Sequence, residues 1–209
     1  MPRANPIDKH DLRRRALAES ALRTLGELGY AKSSLREIAN NSEFSHGVVH
    51  YYFSDKLQLI VYCVKYYKQR CVTRYDHVVA DATSPEGLLV AFTDKLRETI
   101  VEEAPMHRLW YDLRSQSMFE QSLREAVGQI DRALEEMTWR VVNRYAQLCG
   151  VEPSLTPNTA YGMLDGLFQQ ALLGYLSGDE ESLDVLSAQV HQLMPRILQP
   201  VPASVSHIQ

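Results

Sequence analysis

Apolar residues recur at intervals of three and four along almost the whole chain, and this spacing limits its fold more than any other feature. Such intervals place side chains on one face of an α-helix, whereas strands require an alternation that no segment shows convincingly. The turn residues glycine and proline number only ten and nine in 209 residues, and they cluster. The pattern therefore predicts an all-α fold of about nine helices.

The first two predicted helices have clear ends. Apolar residues repeat at helical spacing over about residues 9–28, and the pattern stops at Gly29, a residue type that commonly ends helices. A second, short helix is predicted over about residues 35–41, because Ser34 and Glu37 form a capping-box pattern. Two helices joined by a short link are therefore expected near the start of the chain.

Further capping residues and breaks divide the rest of the chain. Ser45 is suited to cap a third short helix, and Ser54 or Asp55 to cap a fourth that runs to about residue 78. The remaining helices are predicted at about residues 86–103, 106–114, 118–149, 158–177 and 181–198. Residues 200–209 are expected to form a disordered tail.

Residues 35–54 have the pattern of a helix-turn-helix. Two short helices that cross steeply need an apolar anchor and a small residue on the first helix, which Ile38 and Ala39 supply. The apolar anchors that close the hairpin from the other side are Phe44, Val49 and Tyr52. A hairpin of this kind also occurs in small helical bundles with no further role, so the pattern alone leaves that alternative open.

The second helix of this hairpin, from Ser45 to about Tyr51, is the candidate recognition helix. A valine side chain can pack against a thymine methyl group, and a histidine can bond a purine edge or lie near the backbone. The residues predicted to face outward, toward a major groove, are His46, Gly47, Val48 and His50. The two histidines would alternatively be ordinary solvated surface residues.

With these residues in place, the N-terminal part of the chain resembles the TetR family of transcriptional regulators. The resemblance covers about 50 residues and is carried by residues 33–39, 44–49, 51–53 and 55–57. It implies a helix-turn-helix domain at residues 1–56, followed by a ligand-binding and dimerisation domain at residues 57–199. The residues it matches to DNA contacts are Ser34, Arg36, Ser45, His46, Gly47, Val48, His50, Tyr51 and Lys56.

One position departs from the family pattern. Glu43 stands in the turn where the family usually has glycine. A left-handed backbone costs a residue with a Cβ about 1 kcal/mol, so the turn is expected to be either strained or differently shaped. Asn40 and Asn41 tolerate that conformation better and are alternative sites for it.

Charge is distributed unevenly between the two expected domains. The whole chain has a formal charge of −4, which by itself argues against a protein coated in positive charge. Residues 1–56 carry nine basic and seven acidic residues, a balance of +2, which leaves −6 for the remainder. This weakly basic end predicts salt-sensitive DNA binding that depends on specific contacts and on dimerisation.

The resemblance implies a small-molecule pocket in the second domain. Large apolar surfaces beside a few polar groups are typical of such pockets. The candidate ligand-binding residues are Met106, His107, Trp110, Tyr111, Arg114, Met118 and Phe119. The alternative is that Met106, Trp110 and Tyr111, which recur at helical spacing, belong to an ordinary core.

The last two helices are expected to form a homodimer interface, because both are too apolar for the surface of a monomer. The alternative is that they are two core helices of a monomer. The residues assigned to the interface are Leu164, Leu167, Phe168, Ala171, Leu186, Val190, Leu193 and Met194.

The leading hypothesis is therefore a ligand-responsive DNA-binding regulator. It would act as a repressor that a small-molecule effector releases from a palindromic operator. An all-helical enzyme is the alternative, with Asp112 and His107 as a possible pair, although no catalytic motif is present. A helical adaptor without DNA binding is a third hypothesis, which Glu43 alone favours. We expect no catalytic residues.

Cysteine spacing and apolar segment length bound the remaining expectations. Cys63, Cys71 and Cys149 lie too far apart for a zinc or redox CxxC motif, so no metal or cofactor is expected. The first fifteen residues lack the apolar core of a secretory signal, and no apolar stretch approaches the roughly 20 residues of a spanning helix. A cytoplasmic protein with no membrane partner is the expectation.

Overall fold

The computed structural model describes residues 6–198, and the tail expected at residues 200–209 lies outside them. Every regular element in this range is a helix, which confirms the predicted all-α fold. The elements are α1 (Pro6–Lys32), α2 (Leu35–Asn40), α3 (His46–Tyr52), α4 (Lys56–Thr73), α5 (Asp76–Asp81), α6 (Pro85–Gln116), α7 (Gln121–Cys149), α8 (Pro157–Leu176) and α9 (Ser182–Leu198).

Two long helices are interrupted where the sequence predicted a break. In α1 the backbone leaves the helical conformation at Gly29, which has φ 75° and ψ 176°. In α6 it does so at Glu103, with φ −131° and ψ 24°, two residues before Pro105. Proline cannot supply an amide to the preceding turn and clashes with it, which accounts for the position of the second break.

The fourth helix is shorter than predicted. It ends at Thr73, and the separate helix α5 follows, whereas the sequence predicted one helix to about residue 78. Tyr75 lies at this junction and is buried, with its ring 5.5 Å from the ring of Phe92. The contact of Tyr75 with Phe92 joins residues far apart in the sequence, so periodicity gives no sign of it.

The described chain packs as two compact units. The first contains the residues up to Thr73 together with Glu103–Arg132, and the second contains Arg74–Glu102 together with the residues from Ala133 onward. Helix α4 therefore packs with the N-terminal helices, although the sequence assigned residues 57–199 to the second domain. The boundary at residue 56 between a DNA-binding domain and a ligand-binding domain stays a prediction.

The core of the first unit forms between α1 and α4. The fully buried stripe of α1 includes Leu17, Ala21 and Leu25, and α4 contributes Ile60 and Cys63. The thiol of Cys63 donates to the carbonyl of Ala18 at 3.6 Å, so the two helix backbones lie close together. Helix α2 packs on α1, and α3 packs on α2.

In the second unit, α8 and α9 form a tightly packed hairpin. Thr156 caps α8 by accepting from the amide of Thr159 at 3.3 Å. Gly178, with φ 80°, follows the end of the same helix. A Cβ at Gly174 would come within 2.6 Å of the Cβ of Ser182, so the absence of a side chain there allows a close approach of the two helices. Separately, none of the described helices is both long and apolar enough to cross a membrane.

Gly26 provides a test of packing in the first unit. A Cβ at this position would collide with the methyl group of Met106 and lie 3.0 Å from the Cβ of Pro105. We expect Gly26→Ala to lower the free energy of unfolding by about 1–3 kcal/mol through overpacking. The matched control is Gly162→Ala in α8, where nothing lies within 4 Å, and it should stabilise by about 0.5–1 kcal/mol. Urea unfolding measures both, and equal effects would contradict the packing described.

Candidate nucleic-acid interface

Both helices of the predicted hairpin begin at the serines that the sequence indicated. Ser34 caps α2 by accepting from the amide of Glu37 at 3.2 Å, and Ser45 caps α3 by accepting from the amide of Val48 at 3.4 Å. Each serine satisfies an amide that has no partner within its own helix. The start of the recognition helix is therefore fixed locally.

Ser42 organises the turn between the two helices. Its hydroxyl donates to the carbonyl of Ala39 at 3.1 Å and accepts from the amide of Phe44 at 3.1 Å. The amide of Ser42 also donates to the carbonyl of Ala39, at 3.1 Å. A serine that bonds its own neighbouring backbone in this way is a recognised turn former. Sequence reasoning missed this residue, although its type was the available signal.

The turn contains no left-handed residue. Within the described range, no residue other than glycine has a positive φ, so Glu43, Asn40 and Asn41 are all free of that strain. Of the two outcomes expected for Glu43, the structure shows the differently shaped turn, and it also excludes the alternative placement at the asparagines. Glu43 is exposed, so its charge faces solvent beside the start of α3.

The predicted contact face of α3 is largely open to solvent. His46, Gly47 and His50 are exposed, Tyr51 is 75% exposed, and Val48 is half-buried. The rings of His46 and His50 meet edge to face with centroids 4.4 Å apart. Val49, by contrast, is fully buried and anchors the helix.

A groove of about 600 Å³ runs beside this face, between α3 and the start of α1. Its α1 wall is formed by His10 and Arg13, which the sequence did not assign to the site. The ring of His10 lies 4.8 Å from that of Tyr52 and 6.2 Å from that of Tyr51. His10 and Arg13 are three residues apart on one helix, and this spacing was the sequence signal available for them. The α3 wall consists of Ser45, Gly47, Val48, Tyr51 and Tyr52.

Arg14, the residue after Arg13, is not among the residues that line the groove. Its guanidinium lies 5.0 Å from the ring centre of Phe53 and 4.4 Å from that of Tyr62. Cation–π contacts of this kind hold the residue against the core. Arg36, the predicted contact on α2, is exposed.

Lys56, the predicted phosphate contact, is half-buried at the start of α4. Its ammonium lies 4.4 Å from the ring centre of Tyr30. Burial lowers the pKa of Lys56, while the nearby carboxylates of Glu120, Asp112 and Glu37 act in the opposite direction. A phosphate would therefore meet this ammonium beside acidic side chains, and its role as a contact stays a prediction.

The N-terminus of α4 is capped by Asp55, one of the two residues proposed for this role. Its carboxylate accepts from the amide of Gln58 at 2.8 Å, and the Gln58 side chain accepts from the amide of Ser54 at 2.8 Å. The hydrogen bond from Gln58, supported by that from Ser54, lowers the pKa of Asp55. Asp55 thus satisfies the amide of Gln58, and the Gln58 side chain satisfies the amide of Ser54, the residue before the cap.

The candidate ligand residues do not form one group. His107 and Trp110 are buried in α6, and Met106, Tyr111 and Arg114 are half-buried. Met118 and Phe119 are 67% and 82% exposed in the turn after α6, so the structure does not bring them to the buried cluster. The sequence predicted that the next helix begins at about residue 118, whereas α7 begins at Gln121, so both residues stand in the turn.

Most of the residues assigned to the dimer interface lie inside the protomer. Those that are buried are Leu164, Ala171, Leu186, Val190 and Met194. The most apolar stripe of each helix faces the α8–α9 hairpin and the unit's own core, which removes these five from the available surface. Leu167, Phe168 and Leu193 are half-buried. The outward apolar residues are instead Met163, Leu173, Leu176 and Val185.

Among the described side chains, no group of three or more histidine, cysteine, aspartate or glutamate residues is placed to hold a metal ion. The three cysteines are unpaired thiols, of which Cys63 and Cys71 are buried and Cys149 is exposed.

Comparisons with known proteins bear on both halves of the chain. Residues 17–63 match the family described as bacterial regulatory proteins, tetR family. Over a longer span, the chain is 27% identical to the HTH-type transcriptional regulator BetI of Burkholderia thailandensis across 181 residues. That alignment covers 82% of this chain and 86% of the relative.

Solved structures share the fold. A TetR transcription regulator from Haloarcula marismortui superposes with a TM-score of 0.73 at 23% identity, covering 90% of this chain and 100% of that one. A structure from Saccharomonospora viridis, described as a transcriptional regulator in complex with choline, has a TM-score of 0.69 at 18% identity. The second likeness covers 88% of this chain and 96% of the other.

Substitution of Glu43 tests the shape of the turn. Because no left-handed conformation needs relief, we expect Glu43→Gly to be less stable than Glu43→Ala by about 0.5–1 kcal/mol, through the greater backbone freedom of glycine when unfolded. Thermal and urea unfolding of the two variants measure this difference. A left-handed residue would reverse the order, with the glycine variant the more stable.

Proposed function

The chain belongs to the TetR family of transcriptional regulators, and from this premise we propose that it is a homodimeric repressor that a small-molecule effector releases from a near-palindromic operator. The observation that carries the proposal is the exposed face of α3 beside a groove with a histidine and an arginine on its far wall.

The proposed DNA contacts divide by chemistry. The residues that would face the major groove are His46, Gly47, Val48 and His50. Because Gly47 has no side chain, the helix backbone can approach the base edges closely there. Arg13, on the other wall of the groove, is suited to a phosphate of the adjoining backbone. Base contacts specify the sequence, and phosphate contacts position the helix.

The proposed dimer forms through the outward face of α8 and α9. An exposed apolar patch of this kind is typical of a protein interface. Leu173 is 59% exposed, and Met163 lies on a groove of about 350 Å³ whose floor includes Leu167 and Leu193. Two such hairpins related by a two-fold axis would form a four-helix bundle and place two recognition helices on successive half-sites.

The proposed response to effector passes through the part of α6 that follows its break. Arg108 donates to the carbonyls of Gly26 at 2.5 Å and Glu27 at 3.1 Å, and Asp112 accepts from the amide of Tyr30 at 2.7 Å. Two side chains one turn apart thus hold the end of α1. A ligand that shifts this segment or α4 would shift the helix-turn-helix, and couplings of this type amount to about 1–3 kcal/mol.

A comparison with a solved structure also supports the proposal that a small molecule is the effector. The structurally similar regulator from Saccharomonospora viridis is described in complex with choline, so a protein of this fold accommodates a ligand of that size.

DNA binding is tested with a duplex from the region upstream of the chain's own gene. The wild type should retard it, and the double variant His46→Ala/His50→Ala should bind about 100-fold more weakly, since each base contact contributes about 1–3 kcal/mol. His77→Ala, an exposed histidine on α5, is the matched control and should bind as the wild type does. Fluorescence anisotropy at a fixed, stated salt concentration measures all three. Equal affinity of the double variant would exclude this face of α3.

The oligomeric state is tested with a charge on the outward face. Met163→Glu should shift the protein toward a monomer, because an unpaired carboxylate would be buried at the apolar interface. Val90→Glu is the matched control, since Val90 is 45% exposed and Met163 is 42% exposed, and it should remain a dimer. Sedimentation equilibrium measures the mass. A wild-type monomer would contradict the proposal, as would an unchanged dimer of the Met163 variant.

A further inference from the structure

Helices α4 and α6 enclose an ammonium group that belongs to the chain itself. Lys68 is only 4% exposed, and its Nζ lies 5.2 Å from the ring centre of Trp110 and 5.5 Å from that of Tyr67. Both rings are themselves buried. Lysine is among the residues least often fully buried, because removing its charge from water is costly. This placement therefore requires favourable surroundings.

The surroundings of Lys68 are those of a cation site, which we call the aromatic box: Tyr67, Lys68, Glu103, His107 and Trp110. The hydroxyl of Tyr67 donates to the carboxylate of Glu103, which brings a negative charge to the box. The ring of His107 lies 6.3 Å from that of Tyr67. His107 and Trp110 are three residues apart and share one face of α6, while Glu103 stands at the break that precedes them.

Trp110 brings an unmet hydrogen-bond donor to the box. The indole N–H of Trp110 is buried and has no acceptor within the described part of the chain. A buried donor in this state is costly, and a ligand oxygen would satisfy it. This donor lies on the same ring that faces the Lys68 ammonium.

Aromatic faces together with a carboxylate are the chemistry that recognises ammonium and quaternary ammonium ligands. We propose that the aromatic box is a cation-binding site which Lys68 fills from within, so that Lys68 excludes ammonium effectors from it. Lys68 is thus a residue that determines which effectors can bind. This inference rests on the proposed function only because it treats the aromatic box as part of the effector site.

The proposal predicts that shortening Lys68 creates a ligand site. Lys68→Ala removes the three outer methylene groups and the ammonium, and leaves a space lined by Tyr67 and Trp110 for the trimethylammonium group of choline. Lys68→Met keeps the space filled with a neutral chain and is the matched control. The neutral isostere of choline, 3,3-dimethylbutan-1-ol, has the same shape without the charge and separates cation recognition from simple cavity filling.

Isothermal titration and thermal unfolding of the full chain measure binding. Choline should bind Lys68→Ala at least about tenfold more tightly than it binds the wild type or Lys68→Met, and more tightly than the neutral isostere does. Circular dichroism establishes that each variant is folded. Equal choline binding by wild type and Lys68→Ala overturns the proposal, as does a folded Lys68→Ala variant that binds neither compound or binds both equally.

A second measurement uses the wild-type residue at position 68 and does not depend on the stability of Lys68→Ala. The chain has two tryptophans, so Trp139→Phe leaves Trp110 as the sole indole reporter. Its emission should not change with choline, because the box is occupied. A saturable change that the neutral isostere does not produce overturns the proposal.

DNA binding separates this inference from the proposed function. If choline binds Lys68→Ala and also lowers the affinity of that variant for operator DNA, the result supports both the cation site and the proposed response to effector. If choline binds without any effect on DNA affinity, the box is a cation site as proposed, and the coupling assigned to α6 fails instead.

Discussion

The arrangement of the first unit depends on how α1 ends. Gly29 adopts a left-handed conformation there, its carbonyl accepts from the hydroxyl of Ser33 at 2.6 Å, and the next amide, that of Tyr30, donates to Asp112. A Cβ at Gly29 would lie 3.2 Å from that carboxylate, so glycine serves both the backbone conformation and the close approach. This junction determines the direction in which the chain enters α2, and hence where the recognition helix lies.

Tyr30 extends the same junction to α4 and α7. Its ring covers the ammonium of Lys56, and its hydroxyl donates to Glu120 at 2.9 Å. Burial, assisted by the bond to Glu120, raises the pKa of Tyr30 to about 12. One side chain thus contacts the start of α4 and the segment before α7, and a shift of either would reach the helix-turn-helix through it. This is the physical basis for the proposed response to effector.

The features that could be predicted from the sequence depend on residues close together along the chain. The caps at Ser34 and Ser45 were predictable because each involves an amide three residues away, and the breaks at Gly29 and near Pro105 because those residue types disfavour helix. The contact of Tyr30 with Asp112 spans 82 residues and has no local pattern. On α8 and α9 both faces are apolar, so periodicity could not decide that Val190 is core while Val185 faces outward. Lys68 had no signal at all, because a buried lysine and an exposed one look alike in a sequence.

Hydroxyl-radical footprinting with mass spectrometry tests the assigned DNA-binding surface most directly, because its side chains are rich in reactive rings. On addition of operator DNA, His46, His50 and Tyr51 should lose reactivity, and so should His10 across the groove. Met118 and Phe119, which are exposed in the turn after α6, should keep theirs. Unchanged reactivity of the α3 rings in a complex that demonstrably contains DNA would contradict the assignment of this surface.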